Sequence, residues 1–323
     1  MDGHFTRFTR SFIAGVLMTA AASASAQQYP VRPVRIVTNE PGAGLDFTAR
    51  LIAQGLTTQL GQQVIVENRG GAAGVIAAEL VARATPDGHT LLWHNNAIWT
   101  QPLLKSVSYD PLRDLVPITQ GTVAPNILVV HPTVPAKSMS EFLALVKARP
   151  GEINFVSGGA GSPTHLAAAL LAHMANINMV HIPYKGSGPA MTALLGGEGQ
   201  MLFTVSNGGL PHIRSGRVRA LAVSSAQPSA LLPGVPTVAA SGVPGYEAAT
   251  IQGLFAPART PAAIVARLHR EAVVVLNRAD VRDKLFSLAT EVVAGTPAQF
   301  TGVIAADMTR LAKLIKEAGI RSD

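Results

Sequence analysis

The chain contains no cysteine. That one absence excludes disulfides, thiolate-held zinc, iron–sulfur clusters, a catalytic thiol and a lipid-modified N-terminal cysteine. Aromatic residues are scarce at 5%, too few for the stacking platforms that hold single-stranded nucleic acid. Charged residues reach only 14%, and no run of five basic residues occurs despite a net charge of +7. The basic side chains are scattered, so no phosphate-tracking stripe forms and no nucleic-acid partner is expected. The nucleotide fingerprints G-x-G-x-x-G and G-x-x-x-x-G-K-[ST] are missing. So are G-x-S-x-G, S-x-x-K and H-E-x-x-H, and no two of the nine histidines stand four apart. The sequence therefore calls for neither metal nor cofactor.

What is present is apolar: 48% of 323 residues are hydrophobic, enough for a folded chain of roughly two domains. Near the start, Arg7 and Arg10 precede an apolar run over 11–22, and Ala24-Ser25-Ala26 follows as a small-residue cleavage site. This reads as a secretory signal peptide over 1–26. The run is shorter than the about 20 apolar residues of a membrane span.

Further on, short apolar strands alternate with helices. Strands are expected over 34–38, 63–67, 90–93, 126–130, 153–156, 179–182, 200–203 and 218–223. Helices are expected over 46–60, 74–84, 138–149, from 162 onward, over 189–195, and in the tail over 260–277, 280–289 and 297–317. Asp46 is a suitable N-cap for the first, Gly61 stops it, and Pro163 suits the first position of another. The order predicts an α/β fold with mostly parallel sheets flanked by helices. The Pro/Gly/Ala-rich stretch 225–261 reads as a crossover between lobes, with a second crossover near 121–125.

One pattern occurs twice. Pro41-Gly42-Ala43-Gly44-Leu45-Asp46 follows the first strand and opens a helix. Ser157-Gly158-Gly159-Ala160-Gly161-Ser162-Pro163-Thr164-His165 does the same after the strand over 153–156. Ligands of open α/β sheets bind at this end of the strands. Glycine lets backbone N–H groups approach a ligand, and a helix N-terminus favours an anion. Two such loops, one in each half, point to a shared carboxylate or phosphate site. Asn95 and Asn96, and Ser206 and Asn207, sit at other strand ends as uncharged donors, and Lys185 could attract an anion. An enzymatic alternative casts Ser157 or Ser162 as a nucleophile with His165 as base, in a hydrolase or transferase.

A set of landmarks then appears in order: Tyr29-Pro30-Val31-Arg32-Pro33-Val34-Arg35, the first Gly-rich loop, Val66-Glu67-Asn68-Arg69-Gly70-Gly71-Ala72, and Pro86-Asp87-Gly88-His89-Thr90-Leu91-Leu92. Tyr109-Asp110-Pro111, His181-Ile182-Pro183-Tyr184-Lys185-Gly186, Pro211-His212-Ile213-Arg214-Ser215-Gly216 and Leu232-Pro233-Gly234-Val235-Pro236-Thr237 continue it. On these the chain resembles the periplasmic substrate-binding proteins of tripartite tricarboxylate transporters, the Bug receptors. The resemblance implies a two-lobed, type II-like clamshell, with 27–123 plus 250–323 as one lobe and 124–249 as the other. It implies a periplasmic monomer that catalyses nothing. Such a protein binds a small di- or tricarboxylate, amino acid or aromatic acid and meets the transporter's membrane permease subunits. A sensor feeding a signalling kinase would have the same sequence. The family's first loop commonly carries Thr where Leu45 stands and Pro or Ala where Glu40 stands. Leu45, with Trp99 and Phe203 as further apolar walls, suggests an apolar or aromatic body behind one carboxylate. Glu40 would repel an anion unless turned outward.

Overall fold

The computed structural model describes residues 29–42, 44–229 and 232–320. The signal peptide expected over 1–26 and Ala43 lie outside them. Ten strands are described: β1 (Val34–Thr38), β2 (Val64–Asn68), β3 (Thr90–Asn95), β4 (Leu115–Val130), β5 (Asn154–Ser157), β6 (Val180–Pro183), β7 (Met201–Val205), β8 (Arg219–Val223), β9 (Ala249–Pro257) and β10 (Glu291–Gly295). The helices are α1 (Gly44–Leu60), α2 (Val75–Ala82), α3 (Ala97–Leu104), α4 (Met139–Ala148), α5 (Pro163–Ala175), α6 (Ser187–Leu195), α7 (Ser206–Arg214), α8 (Ala262–Asn277), α9 (Ala279–Phe286) and α10 (Pro297–Glu317).

The strands form two half-sheets that share β4. Its first part pairs with β9 and β10, and its last part, from Asn126, pairs with β7 and β8. Outward from this centre, β1 pairs in parallel with β2 and β3, and β5 with β6 and β7. Parallel pairing therefore belongs to the outer strands, while every pairing of β4 and β9 is antiparallel. The reason is connectivity. β4 carries the chain out of the first lobe and β9 carries it back, so the two run side by side in opposite directions.

Each half-sheet has its own core. Trp93, Leu91 and Ile36 meet Leu56, Ile52, Leu268 and Leu276 of α1 and α8 on one face of the first, and Trp99, Phe255 and Phe300 pack on the other. In the second lobe Phe142, Phe155, Phe203 and Tyr246 form the corresponding cluster. The 225–261 stretch is not a free linker. Val238, Val243 and Tyr246 are buried in the second lobe's core before β9 begins. The segment 121–125 is strand, since β4 runs through it with register shifts at Pro117–Thr119 and Gln120–Thr122. Such bulges let a strand keep its neighbours where proline lacks an N–H. A small apolar cluster spans the lobes: Leu166 of α5 packs with Leu311 and Leu314 of α10.

Candidate functional site

The first Gly-rich loop is built by Asp46. Its carboxylate accepts from the Gly42 N–H at 3.1 Å, from Arg50 Nε at 3.0 Å and from Asn68 Nδ2 at 2.8 Å. Asn68 also donates to the Asn39 carbonyl at 2.7 Å, so β2 braces the loop that leaves β1. Burial alone would raise the Asp46 carboxyl, but the hydrogen bonds from Arg50, Asn68 and Gly42 hold it below its ordinary value. Asp46 is thus a charged scaffold for the loop. Gly42 adopts the left-handed φ of +80° that favours glycine.

The second loop is folded by its own side chains. The Gly158 N–H donates to Thr164 Oγ1 at 3.0 Å, Gly159 N–H to Ser157 Oγ at 3.2 Å, and Gly161 N–H to His165 Nδ1 at 2.9 Å. Ser162 caps α5 by accepting from the His165 N–H at 3.2 Å. Most of this loop's amides are therefore spent internally, contrary to the expectation of a second open cradle. The hydrolase constellation also fails. Ser157 is buried, and its hydroxyl meets His181 Nε2 at 2.6 Å, not His165. His165 is an acceptor in the loop and lies stacked on His181, with ring centroids 4.0 Å apart. Burial, with the neighbouring His181, pushes His165 down to about 3, so its imidazole is uncharged at neutral pH.

Each loop meets an element of the other lobe at the seam. Asn207, on the first turn of α7, donates through Nδ2 to the Gly44 carbonyl at 3.1 Å. A Cβ at Gly44 would strike that amide. Gln101 of α3 reaches the other way and donates to the Ala160 carbonyl at 2.6 Å. Gly159 lies against Ala73, and a Cβ there would sit 3.6 Å from the Ala73 Cβ. Ala72 and Ala73 both hold left-handed φ, 49° and 52°, between Gly71 and Gly74. Non-glycine residues in that region store strain, which concentrates at functional sites.

Between the first loop and α6 with the start of α7 lies a cavity of about 630 Å³, within the range of small-ligand sites. Pro41, Gly42, Gly44, Leu45 and Asn95 line it on the first lobe, with Gln252 of β9. Ser187, Gly188, Met191 and Ala193 of α6, with Thr204 and Gly208, face them from the second. Thr38, His94, Asn96, Gln101 and Asn207 each keep a buried side-chain polar atom with no partner among the described residues. They stand at the ends of β1 and β3, at the N-cap of α3 and within it, and in the first turn of α7. A buried polar atom left unpaired is costly, and such atoms mark where a further partner fits. Burial pushes His94 down to about 4, so its imidazole is neutral.

Several expected residues stand elsewhere. Lys185 is exposed and does not line the cavity. The second loop, Ser157 to His165, adjoins the seam but is not on the cavity wall. Ser206 donates to the Ala289 carbonyl at 2.9 Å and ties α7 to the segment before β10. Asn96 donates to the Ala249 carbonyl at 3.3 Å, bracing the start of β9. Trp99 and Phe203 are fully buried in separate cores and cannot wall a ligand; Trp99 Nε1 donates to Asp307 at 2.8 Å. Glu40 is not turned outward but lines the cavity with its oxygens buried. The sequence reading missed Gln101, Ser187, Thr204 and Gln252. Gln101 precedes a proline, and Ser187 sits in Gly186-Ser187-Gly188, beside the Lys185 that drew attention to charge instead.

Two α/β lobes joined by a pair of antiparallel strands, with polar loops meeting over a cleft, define the clamshell class of solute-binding proteins. The chain belongs to the tripartite tricarboxylate transporter receptor family, whose model matches residues 48–320. It is 38% identical over 307 residues to protein BugT of Bordetella pertussis, covering 93% of this chain and 94% of that one. To a protein from the tcbD-tcbE intergenic region of Pseudomonas sp. strain P51 it is 35% identical over 315 residues, covering 95% and 94%. Among solved structures, an adipate complex from R. palustris superposes with a TM-score of 0.88 at 32% identity, covering 91% of this chain and 99% of that one. MatC from Rhodopseudomonas palustris with bound malate gives 0.85 at 30% identity, covering 89% and 100%.

Proposed function

We propose that this protein is a periplasmic receptor that closes over a small carboxylate and presents it to the permease subunits of a tripartite tricarboxylate-type transporter. It binds and releases its ligand unaltered, as a monomer. The supporting observation is the seam itself, where loops from two lobes meet over a cavity whose inner wall offers neutral donors. In this reading the lobes are 27–123 plus 250–323 and 124–249, and residues 1–26 direct export. Pro41, Gly42, Gly44, Asn95 and Asn207 stand nearest the carboxylate, and Leu45 with Met191 covers an apolar body. The relatives solved with adipate and malate support a di-acid of that size.

A hydrogen bond to a charged group contributes roughly 1.5–3 kcal/mol net, so about four of them approach the ~8 kcal/mol of micromolar binding before ordering costs. Donors on both lobes favour the closed arrangement, which is population shift by differential contact. Calorimetric titration with adipate, malate and aromatic acids tests the reading, alongside mass spectrometry of the acid recovered afterwards. Micromolar binding of a carboxylate returned unchanged is expected. Recovery of a hydrolysed or transferred product would sink it.

A further inference from the structure

Glu40 follows β1 and lines the cavity, yet its carboxylate does not open into it. Both oxygens are buried, and neither has a hydrogen-bond partner of ordinary geometry among the described residues. The group is gripped by glycines from both lobes. A Cβ on Gly70 would come within 2.8 Å of Oε2, and a Cβ on Gly186, just before α6, would overlap the carboxylate. Any other residue at Gly186 would deny Glu40 this place, and at Gly70 it would have to shift. Gly70 travels with the first lobe and Gly186 with the second, so the burial exists only while the lobes are together.

We propose that Glu40 is a proton-linked clasp: when the lobes close, its carboxylate passes from water into the seam, and the closed form takes up a proton there. This goes beyond the receptor reading and rests on it only for the lobe motion. Burial raises the Glu40 carboxyl above its ordinary value, and the N–H groups of Glu40 itself and Ser187 offset only part of that. Among the described residues no cationic side chain makes an ion pair or hydrogen bond with it. Arg69, beside Gly70, is bonded to Glu67 at 2.6 Å, and Lys185, beside Gly186, is exposed. Asp46 on α1 is held by Arg50 and Asn68. Tyr184 donates to Glu198 at 2.6 Å. His212, on the cavity wall with Arg217, has its own value lowered by burial and by that arginine, so its linkage has the opposite sign.

The sign follows. A carboxyl whose value is higher in the closed state favours closure as pH falls, and the gain is lost as pH rises through the raised value. Because the chain has no cysteine, Thr58→Cys on α1 and Lys147→Cys on α4 give a clean spin-labelled pair, both at exposed positions. Interlobe distances are measured without ligand at about pH 8 and about pH 5. The closed-to-open ratio should grow by about threefold or more on acidification. Glu40→Gln should be closed to the same degree at both, and Glu40→Ala should also lose the response. His212→Gln should keep it. A labelled parent with no pH response, or a response surviving in either Glu40 variant, overturns the proposal. Failure of every acid to bind would count against the receptor reading and leave this readout intact.

Discussion

At the scale of single residues, the chemistry of the cleft is decided by how side chains spend backbone donors. Asp46 collects three donors and fixes the first loop. Asp46→Asn keeps the shape but leaves one carboxylate oxygen replaced by a donor facing other donors. We expect a loss of about 1–2 kcal/mol at neutral pH by denaturant unfolding, the scale of hydrogen bonds to a charged group. A depressed carboxyl contributes stability that is present above the unfolded value, about 3.9, and lost as pH falls through the lower folded value. The difference between variant and parent should therefore shrink on acidification below about pH 4. His165 makes a contrasting prediction. Its value of about 3 means that it stays neutral across the range where the protein works. Its imidazole resonances in NMR should not titrate between about pH 5 and 8, and a midpoint near 6.5 would contradict the buried acceptor role.

At the scale of elements, the sequence was most readable where local rules and tertiary packing agree. α1 has its amphipathic face and its glycine stop and forms as that pattern demands, but it begins at Gly44, so Asp46 stands within its first turn and not at the N-cap position. α7 was hidden. Ser206-Asn207-Gly208-Gly209 reads as a turn, yet it forms the first turn of a helix because Ser206 and Asn207 are tied to Ala289 and Gly44 across the chain. α3 was hidden by Pro102, and the first part of β4, before the expected 126–130, by Pro117, Gly121 and Pro125. In both, pairing or packing at long range overrides the local breaker. The second loop shows the same limit within the site. Its glycines were visible, but the use of Thr164 Oγ1 and His165 Nδ1 to consume their N–H groups depends on the helix that follows. His181 reaches Ser157 from another strand, 24 residues on.

The first-loop glycines separate two effects that a mutation series can read. Gly42 needs its left-handed φ but has nothing near its absent Cβ, so Gly42→Ala should cost about 1 kcal/mol of stability through the backbone alone. Gly44 is the first residue of α1, and its absent Cβ points at Asn207 of the other lobe. Gly44→Ala should leave thermal stability unchanged or slightly raised, since alanine favours helix by up to about 1 kcal/mol. It should nevertheless weaken ligand binding by about tenfold or more, because the lobes cannot seat. Equal affinities for parent and Gly44→Ala by calorimetry would remove Gly44 from the seam.

At the scale of the whole molecule, the two lobes have separate cores, so opening need not disturb either fold. What opposes opening is a short set of contacts. Besides the ties of Ser206 to Ala289 and of Arg214 to Ser287 and the apolar contact of Leu166 with Leu311 and Leu314, two hydrogen bonds join the lobes beside the Gly-rich loops: Gln101 donates to Ala160, and Asn207 donates to Gly44. Each hydrogen bond is made across the seam and is exchanged for water when the lobes part, so each contributes roughly 0.5–1.5 kcal/mol to closure. Removing both should therefore shift the closed-to-open ratio by about tenfold, with the intralobe packing untouched. The variant carrying Gln101→Ala and Asn207→Ala is expected to unfold at the parent's temperature when ligand-free. It should also show longer interlobe spin-label distances and an apparent Kd raised by about tenfold. Asn207 also stands close to the proposed carboxylate position, so Gln101→Ala alone provides the cleaner measure of closure. A drop in unfolding temperature with unchanged distances would mean that these bonds hold the folds and not the cleft. In that case closure would be governed by the hinge strands β4 and β9.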